Sequence, residues 1–348
     1  MSLAYCAIMK RLYRNLRKHL SNKQKGKLSR LVFLISRRPV IKIDSINPAK
    51  KFPEGQKGGL IISADFELAW AWRYTKTGAN YLEKARRART NLPEIINVLN
   101  TFNVPITFST VGHLFLEKCN KGDHDWMARI PHFDDHWKFI NGDWFDHDPY
   151  SNYKKAPEWY APDLIQMIQN SKANHEIGTH TFSHIDFSYK NCPEEVADDE
   201  LKACVIAAKH YNIKLKSLVF PGGTWGNIEA LKRHGIQIYR KNVEQDLAYP
   251  WRDEHGLLVT NSSGALEYDR NYGWTSDYFV SRLKKNIDKA IKTNTIAHLW
   301  FHPSLDPYFL KEIFPPFLRY VSKQRDNGEL WVGTMSQIAE HINQNNIV

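Results

Sequence analysis

Two histidines four residues apart are the most specific chemical feature of the sequence. His180 and His184 stand in the run His-Thr-Phe-Ser-His, directly after a short stretch of strand-forming residues. A helical turn would bring both imidazoles to one face, close enough to share a metal ion. The same spacing is also compatible with two surface histidines that bind no metal.

Two carboxylates follow an apolar run near residue 60. Asp65 and Glu67 are separated by one residue, so an extended backbone would point both side chains the same way. A carboxylate at the end of a buried strand is costly unless it is paired or binds a ligand. The pair could therefore supply one metal ligand and one general base, although two solvated loop acids would give the same pattern.

Two further strand ends carry groups that could take part in chemistry. Gly222 follows Pro221 after an apolar run, and a glycine there allows backbone N–H groups to approach a ligand closely. His302 comes at the end of another apolar run that also contains His298, and either ring could carry a proton. A plain turn and a buried structural histidine are the respective alternatives.

Short apolar runs alternate with helix-like segments from residue 60 onward. Leu60–Ala64 and Ile296–Phe301 are predicted strands, and Pro93 is predicted to open a helix with Asn91 as its cap. This alternation predicts an α/β fold with a parallel sheet, most simply a barrel. Residues 119–161 break it, because they contain four Trp and many Asp and His but little periodicity. A long irregular segment of this kind is usually functional.

The positive charge is concentrated at the N-terminus. Eleven of the 48 Lys and Arg residues lie in residues 1–40, which contain no Asp or Glu, whereas the rest of the chain is formally neutral. Ile8, Leu12, Leu16 and Leu20 recur every four residues among these cations, as in a basic amphipathic helix that enters a lipid interface. Residues 1–45 are therefore interpreted as an arm that contacts a membrane surface peripherally or docks on the protein's own body. A nucleic-acid partner is not expected, because the neutral body has no recognisable reading motif.

Length and composition exclude several classes of protein. A chain of 348 residues with 42% hydrophobic content can bury a large core and is not wholly disordered. No apolar run approaches the ~18–20 residues of a membrane-spanning helix. We recognise no secretory signal and no C-x-x-C pair, so the four cysteines, Cys119 among them, are expected to be structural. A cytoplasmic location is expected, at the inner face of a membrane if the arm binds lipid.

In this order, the motifs resemble those of the polysaccharide deacetylase superfamily, also called carbohydrate esterase family four or the NodB-homology domain. The resemblance spans roughly residues 60–342 and rests on five matching segments: Asp65–Glu67, Val104–Phe108, His180–His184, Pro221–Gly223 and Trp300–His302. It implies a distorted (β/α) barrel of about seven parallel strands over residues 55–345, with residues 119–161 as an aromatic-rich insertion. It also implies hydrolysis of an N-acetyl group on the sugar of a polysaccharide or lipid-linked glycan.

The resemblance assigns roles to the polar residues. Glu67, His180 and His184 would bind zinc or another divalent metal, Asp65 would be the general base, and the roles of Asp65 and Glu67 could be exchanged. His302 would protonate the leaving amine.

The same resemblance suggests groups that bind the substrate. A backbone N–H near Gly222 would stabilise the oxyanion. Trp137 and Trp144 in the insertion could stack on sugar rings, with core packing as the alternative for each.

The sequence also departs from the family pattern. The usual second acid is replaced by Phe66, and the arginine that normally precedes the Pro221 turn is absent, since those positions are Leu218 and Val219. Either a different residue orients the acid, or the base is not oriented in that way here. The alternative functions are hydrolysis of a non-sugar amide or cyclic imide, a glycan-binding pseudoenzyme, and a glycosidase, which would need no metal.

Overall fold

The computed structural model describes residues 19–35, 40–41, 51–73, 80–129, 143–241, 247–268 and 272–348. Within these ranges the chain folds around one curled sheet with helices packed on its outer side. The strands are, in chain order, β1 Val40–Ile41, β2 Gly58–Phe66, β3 Thr107–Thr110, β4 Glu176–Thr179, β5 Ser217–Val219, β6 Ile238–Lys241, β7 Leu247–Ala248, β8 Trp251–Arg252, β9 Leu258–Asn261, β10 Gly264–Ala265, β11 Ile296–Phe301 and β12 Leu330–Val332.

Seven parallel strands form the main body of this sheet. Their spatial order is β11-β2-β3-β4-β5-β6-β9, and every neighbouring pair is parallel. After β9 the chain crosses to the other end of the sheet, where the Ser263 N–H donates to the His298 carbonyl at 2.7 Å and β10 pairs with β11. This crossing joins the two ends of the curled sheet. The prediction of a distorted (β/α) barrel of about seven parallel strands is confirmed.

The helices connect successive parallel strands and cover the outer side of the sheet. They are α1 Asn22–Ile35, α2 Tyr81–Phe102, α3 Pro162–Gln169, α4 Glu194–Lys209, α5 Ile228–Arg233, α6 Ser276–Thr293, α7 Pro307–Glu312, α8 Phe314–Asp326 and α9 Met335–Gln344. Because parallel strands require a crossover, this alternation is what a barrel of this kind demands.

The predicted start of the second helix at Pro93 is wrong. Helix α2 begins at Tyr81, and Pro93 lies inside it. Asn91 is buried and does not cap the helix; its amide donates at 2.9 Å to the carbonyls of Pro303 and Leu305. Asn91 therefore ties the helix to the loop that follows β11.

Strand β2 shows how the sheet divides its two faces. All nine residues of β2 are buried, and Leu60, Ile62 and Phe66 pack in the large core on the helix side. Ile61 belongs instead to a smaller cluster with Ile238 of β6 and other strand and α9 residues, which fills one end of the barrel. Because side chains alternate along a strand, the residues at 63, 65 and 67 continue the inward face.

The described part of the basic arm contacts the body of the protein. The Trp274 indole N–H donates to the carbonyl of Gly26 in α1 at 3.2 Å, and β1 pairs with β7. The residues of the predicted amphipathic stripe at positions 8, 12 and 16 lie outside the described ranges. Among the described helices, none combines the length and the apolar character that crossing a bilayer requires.

Candidate active site

The two acids predicted from the sequence lie together at the carboxyl end of β2. Asp65 is the second-to-last residue of the strand, and Glu67 follows the strand by one position. Both are buried, with only 4% of each residue exposed. Two buried carboxylates require partners, and the partners of each acid differ.

The histidine pair lies in a loop and not on a helical turn, so that part of the prediction is wrong. Strand β4 ends at Thr179, and the next residues form a tight loop in which Thr181 and His184 have positive φ angles of 59° and 56°. These two left-handed residues turn the backbone back on itself. The rings of His180 and His184 consequently lie with their centroids 5.0 Å apart, and both side chains are buried.

Glu200 of helix α4 holds this loop in place. Its carboxylate accepts hydrogen bonds from the N–H groups of Phe182 and Ser183 at 2.8 and 2.9 Å and from the Ser183 hydroxyl. Glu200 is buried, and burial raises its pKa while the bonds from Ser183 and Phe182 oppose that change. An unusual backbone at a functional site persists when surrounding contacts determine it, and Glu200 supplies those contacts.

Glu67 faces both histidines. Its Oε1 atom lies 2.8 Å from His180 Nε2 and 3.2 Å from His184 Nε2, and the three groups offer ligand atoms within 4.8 Å of one another. Two imidazole nitrogens and one carboxylate oxygen are the donor set of many catalytic zinc sites.

The hydrogen bonds of His180 support a cation at this position. Its Nδ1 atom lies 2.6 Å from the carbonyl of Val219, and a carbonyl can only accept, so Nδ1 carries the proton. In the neutral ring Nε2 then presents a lone pair to the Glu67 carboxylate, which also has no proton to donate. A cation or an additional proton must lie between them. The residues present therefore fit a divalent metal.

Asp65 is held by an arginine from a different strand. Arg240 of β6 donates from Nη1 to Asp65 Oδ1 at 2.9 Å and from Nη2 to Oδ2 at 2.7 Å, and its Nη1 also donates to Ser63 at 2.8 Å. Arg240 is almost fully buried, with its guanidinium 5.0 Å from the centre of the Trp300 ring. Arg240 thus orients the acid, one of the two possibilities that the sequence left open, and its identity was not predicted. The signal available in the sequence was an arginine at the end of the short run of residues 236–240, which alternates apolar and polar side chains before it.

The two histidines of β11 and its end have different environments. His298 lies beneath the site, where its Nε2 is 2.9 Å from the Ser63 hydroxyl and its Nδ1 is 3.2 Å from the Thr260 hydroxyl. Burial and the nearby Arg240 charge lower the pKa of His298 well below its ordinary value. A neutral, fully buried ring between two hydroxyls is a structural residue, so His302 is the better candidate for proton transfer.

His302 lies at the mouth of the site between two carboxylates. Its Nδ1 donates to Glu267 at 2.5 Å, and its Nε2 lies 3.6 Å from Glu67 Oε2. Burial would lower the pKa of His302, but Glu67 and Glu267 together raise it to about 9. Asp65, Glu67 and His302 also offer ligand atoms within 4.8 Å of one another, so all the predicted polar groups converge at one place.

The predicted substrate-binding residues are placed less favourably. Gly222 is exposed, with a φ of 59°, in the turn after β5. Trp144 is only 4% exposed and its carbonyl accepts from Arg73, so the structure does not support stacking of this ring on a sugar. Trp137 lies outside the described residues. Trp72, which the sequence analysis did not single out, is partly exposed and its ring centroid lies 5.3 Å from that of His302.

Comparison with known families agrees with the resemblance found in the sequence. The model of the polysaccharide deacetylase family matches residues 83–239. The match covers a little less than half of the chain, and a divergent member of the polysaccharide deacetylase superfamily fits it. The matched span includes the His180–His184 loop, whereas Asp65, Glu67 and His302 lie outside it. No curated protein matches the sequence significantly.

Solved structures show the same fold at low sequence identity. A protein of Mycobacterium smegmatis named as a polysaccharide deacetylase has a TM-score of 0.60 and 16% identity, covering 90% of this chain and 97% of its own. A probable polysaccharide deacetylase from Pseudomonas aeruginosa PAO1 has a TM-score of 0.60 and 14% identity, covering 90% and 100%. PuuE allantoinase also has a TM-score of 0.60, with 14% identity over 90% and 99%. These three proteins thus share the fold of this chain over nearly its whole length.

Proposed function

We propose that this deacetylase homologue is a metal-dependent hydrolase that removes an N-acetyl group from a sugar of a polysaccharide or lipid-linked glycan. The observation that carries the proposal is the convergence of Glu67, His180 and His184 on one point, with Asp65 and His302 beside them. The separate partners of the two acids favour Glu67 as the metal ligand and Asp65 as the general base. This division also favours hydrolysis over a glycan-binding pseudoenzyme.

Each residue then has one task in amide hydrolysis. A divalent metal held by Glu67, His180 and His184, zinc in our proposal, supplies a Lewis acid for the carbonyl and makes a water molecule acidic enough to attack. Asp65 accepts the proton of the attacking water, and the Arg240 fork keeps that carboxylate in one orientation. The water oxygen forms the new C–O bond, and acetate leaves when the C–N bond breaks.

His302 and the turn at Gly222 complete the reaction. Protonated His302 donates its proton to the departing amine, and Glu267 keeps the ring charged before that step. A backbone N–H of the Gly222 turn is our proposed donor to the developing oxyanion. Trp72 lies beside His302 with Lys84 Nζ 3.8 Å from its ring centroid on one face, and its opposite face is our proposed stacking surface for the apolar side of a sugar ring.

The proposal is tested by measuring acetate and free amine released from N-acetylated oligosaccharides. We expect equal amounts of the two products from the zinc-loaded protein and a loss of at least ~100-fold in kcat for Asp65→Asn, which retains its zinc. Asp163→Asn is the matched control, because Asp163 forms the same fork with Arg89 on the surface, at 2.6 and 3.1 Å, outside the site.

Three outcomes would contradict this function. Hydrolysis of allantoin without any acetate release would favour the non-sugar amide alternative. An unchanged rate in Asp65→Asn would remove the proposed base. Full zinc occupancy in both His180→Ala and His184→Ala would remove the proposed metal site.

We further propose that the reaction takes place in the cytoplasm, near the inner face of a membrane. The support is the sequence of the arm alone, whose cations and apolar residues alternate with helical spacing. A glycan attached to a lipid carrier would be presented to the enzyme at such a surface.

A further inference from the structure

A second group of metal-ligating side chains lies outside the site described above. It consists of His113, Cys119, His124 and Asp148, all of which are buried. Each offers one ligand atom, and the four atoms lie within 4.8 Å of one another. The Cys119 sulfur is 3.1 Å from His124 Nε2, and His113 Nε2 is 3.1 Å from Asp148 Oδ2.

The polar atoms of this group lack the hydrogen bonds that burial demands. Among the described residues, three buried atoms have no hydrogen-bond partner of acceptable geometry: His113 Nδ1, His113 Nε2 and Asp148 Oδ2. This is so although His113 and Asp148 are adjacent. A buried polar atom without a partner costs about 1–3 kcal/mol. A bound ion that all four groups ligate would satisfy Asp148 Oδ2 and one ring nitrogen of His113.

The surroundings orient Asp148 toward the same point. Its other oxygen, Oδ1, accepts from the Tyr160 hydroxyl at 2.7 Å and from the Tyr150 N–H at 3.0 Å. These bonds leave Oδ2 directed at His113. Outer partners that fix a ligating carboxylate in this way are a regular feature of metal sites.

We propose that His113, Cys119, His124 and Asp148 bind a structural zinc ion, separate from the ion of the catalytic site. Two imidazoles, one thiolate and one carboxylate fill all four positions of a tetrahedral site, which leaves none for substrate or water. A thiolate ligand disfavours magnesium and calcium. The ligands follow the spacing H-x5-C-x4-H-x23-D, and the sequence analysis had assigned only a structural role to Cys119.

The position of this site gives it a structural task. His113 follows β3, whereas Cys119, His124 and Asp148 belong to the aromatic-rich insertion, so the ion ties the insertion to the barrel. The His113 N–H donates to the Phe182 carbonyl at 3.0 Å, inside the loop that carries His180 and His184. The zinc would therefore also support the backbone of the catalytic loop.

The first experiment counts metal ions per chain in the full-length protein, purified with zinc under reducing conditions. We expect about two zinc ions in the wild type and about one in His180→Ala. One zinc per wild-type chain that disappears in His180→Ala would overturn the structural site and leave the catalytic site intact. One zinc that survives in His180→Ala would support the structural site and contradict the catalytic one.

Cobalt substitution gives a readout that depends on the sulfur ligand alone. The cobalt-loaded wild type and His180→Ala should both show thiolate-to-cobalt charge-transfer absorption, because the catalytic site contains no sulfur. Cys119→Ser should lose this absorption and about one metal per chain, whereas Cys192→Ser, which changes another buried cysteine, should keep both. If Cys119→Ser does not fold, the spectrum of His180→Ala decides, and its lack of charge-transfer absorption would refute the site.

Discussion

At the scale of single residues, the two acids of the first strand are separated by their partners. Glu67 contacts the two histidines at 2.8 and 3.2 Å, and Asp65 is gripped by both arms of Arg240. For Asp65 to become the metal ligand and Glu67 the general base, a buried side chain would have to move. The distances therefore favour Glu67 as the metal ligand and Asp65 as the base, whereas the sequence allowed either assignment.

Replacing Arg240 tests its positioning role. Arg240→Lys keeps the positive charge but cannot form two parallel bonds to Asp65, so we expect kcat to fall about 10- to 100-fold with little change in KM. Zinc content should stay at the wild-type value, because the hydrogen bonds described for Arg240 go to Asp65 and Ser63 and not to the proposed metal ligands. Steady-state kinetics and elemental analysis measure both effects.

A purely structural role for Arg240 would give a different pattern. It would lower the melting temperature and the zinc content together with kcat. Arg89→Lys, which alters the surface fork to Asp163, is the control for the substitution itself and should leave kcat unchanged.

The pH profile tests His302 and its partner Glu267. His302 must be protonated to donate to the amine, and its pKa is raised to about 9, so activity should fall as the pH rises through that value. A cation bound by Glu67 would offset the charge of that carboxylate, which leaves Glu267 as the main anionic partner. Glu267→Gln should therefore move the alkaline limb of kcat/KM to lower pH.

The control for this profile is a similar pair outside the site. Glu229 lies 2.6 Å from His255 Nδ1 near the surface, and Glu229→Gln should leave the profile unchanged. An alkaline limb that stays in place in Glu267→Gln would show that another group sets it.

At the scale of secondary-structure elements, helix α4 determines the shape of the histidine loop. The loop has two left-handed non-glycine residues, Thr181 and His184, which cost conformational energy that the loop alone does not recover. Three hydrogen bonds from the loop end on Glu200, nearly twenty residues later in the chain. The geometry of the two proposed histidine ligands thus depends on a contact between this loop and helix α4.

Removing the Glu200 carboxylate should lower both the stability of the fold and the affinity for the metal. In Glu200→Ala the N–H groups of Phe182 and Ser183 lose their partner while buried, so we expect the free energy of unfolding to fall by about 1–3 kcal/mol or more. Zinc should also be lost at a lower chelator concentration than in the wild type. Denaturant titration and chelator competition measure the two effects.

Glu195→Ala provides the control on the same helix, because Glu195 is exposed. Wild-type zinc retention in Glu200→Ala would mean that the loop holds its shape without the helix.

The sequence predicted those site residues whose spacing along the chain is short. It did not predict residues that reach the site from distant positions. The period of two along a strand brought Asp65 and Glu67 to one face, and four-residue spacing identified His180 and His184 although their backbone is not helical. Arg240 and Glu200 act across 175 and 17 residues respectively, and their sequence neighbourhoods do not show which groups they contact. Pro93 misled for the same reason, since the tertiary contacts of Asn91 outweigh its local capping preference.

At the scale of the whole molecule, the excess positive charge and the proposed catalytic residues lie in different parts of the chain. Residues 1–18 contain five Lys and Arg and no acid, whereas the proposed catalytic groups come from residues 65–302. Helix α1 contacts Trp274, so the arm is joined to the body on one side. A surface-binding function of the arm can therefore be tested apart from catalysis.

Deleting residues 1–18 should reduce binding to anionic vesicles while turnover of a soluble oligosaccharide stays the same. Each cation near an anionic surface contributes about 1 kcal/mol, so the loss of five should abolish co-sedimentation at physiological salt. The deletion keeps Gly26 and β1, whose contacts with the body are described above. Equal co-sedimentation of the full chain and the deletion variant would rule out the membrane role of this segment.

The Arg240 fork has a consequence for how relatives of this protein are recognised. A guanidinium that enters the barrel from β6 reaches the same carboxylate that one on β5 would reach, since adjacent strands of a curled sheet share the lumen. A motif search that requires an arginine shortly before the Pro221 turn would therefore classify such proteins as inactive. Val219 pairs with Arg240 in the sheet register and shares its face, so an enzyme with Val219→Arg in an Arg240→Leu background would show whether an arginine at either position can hold Asp65.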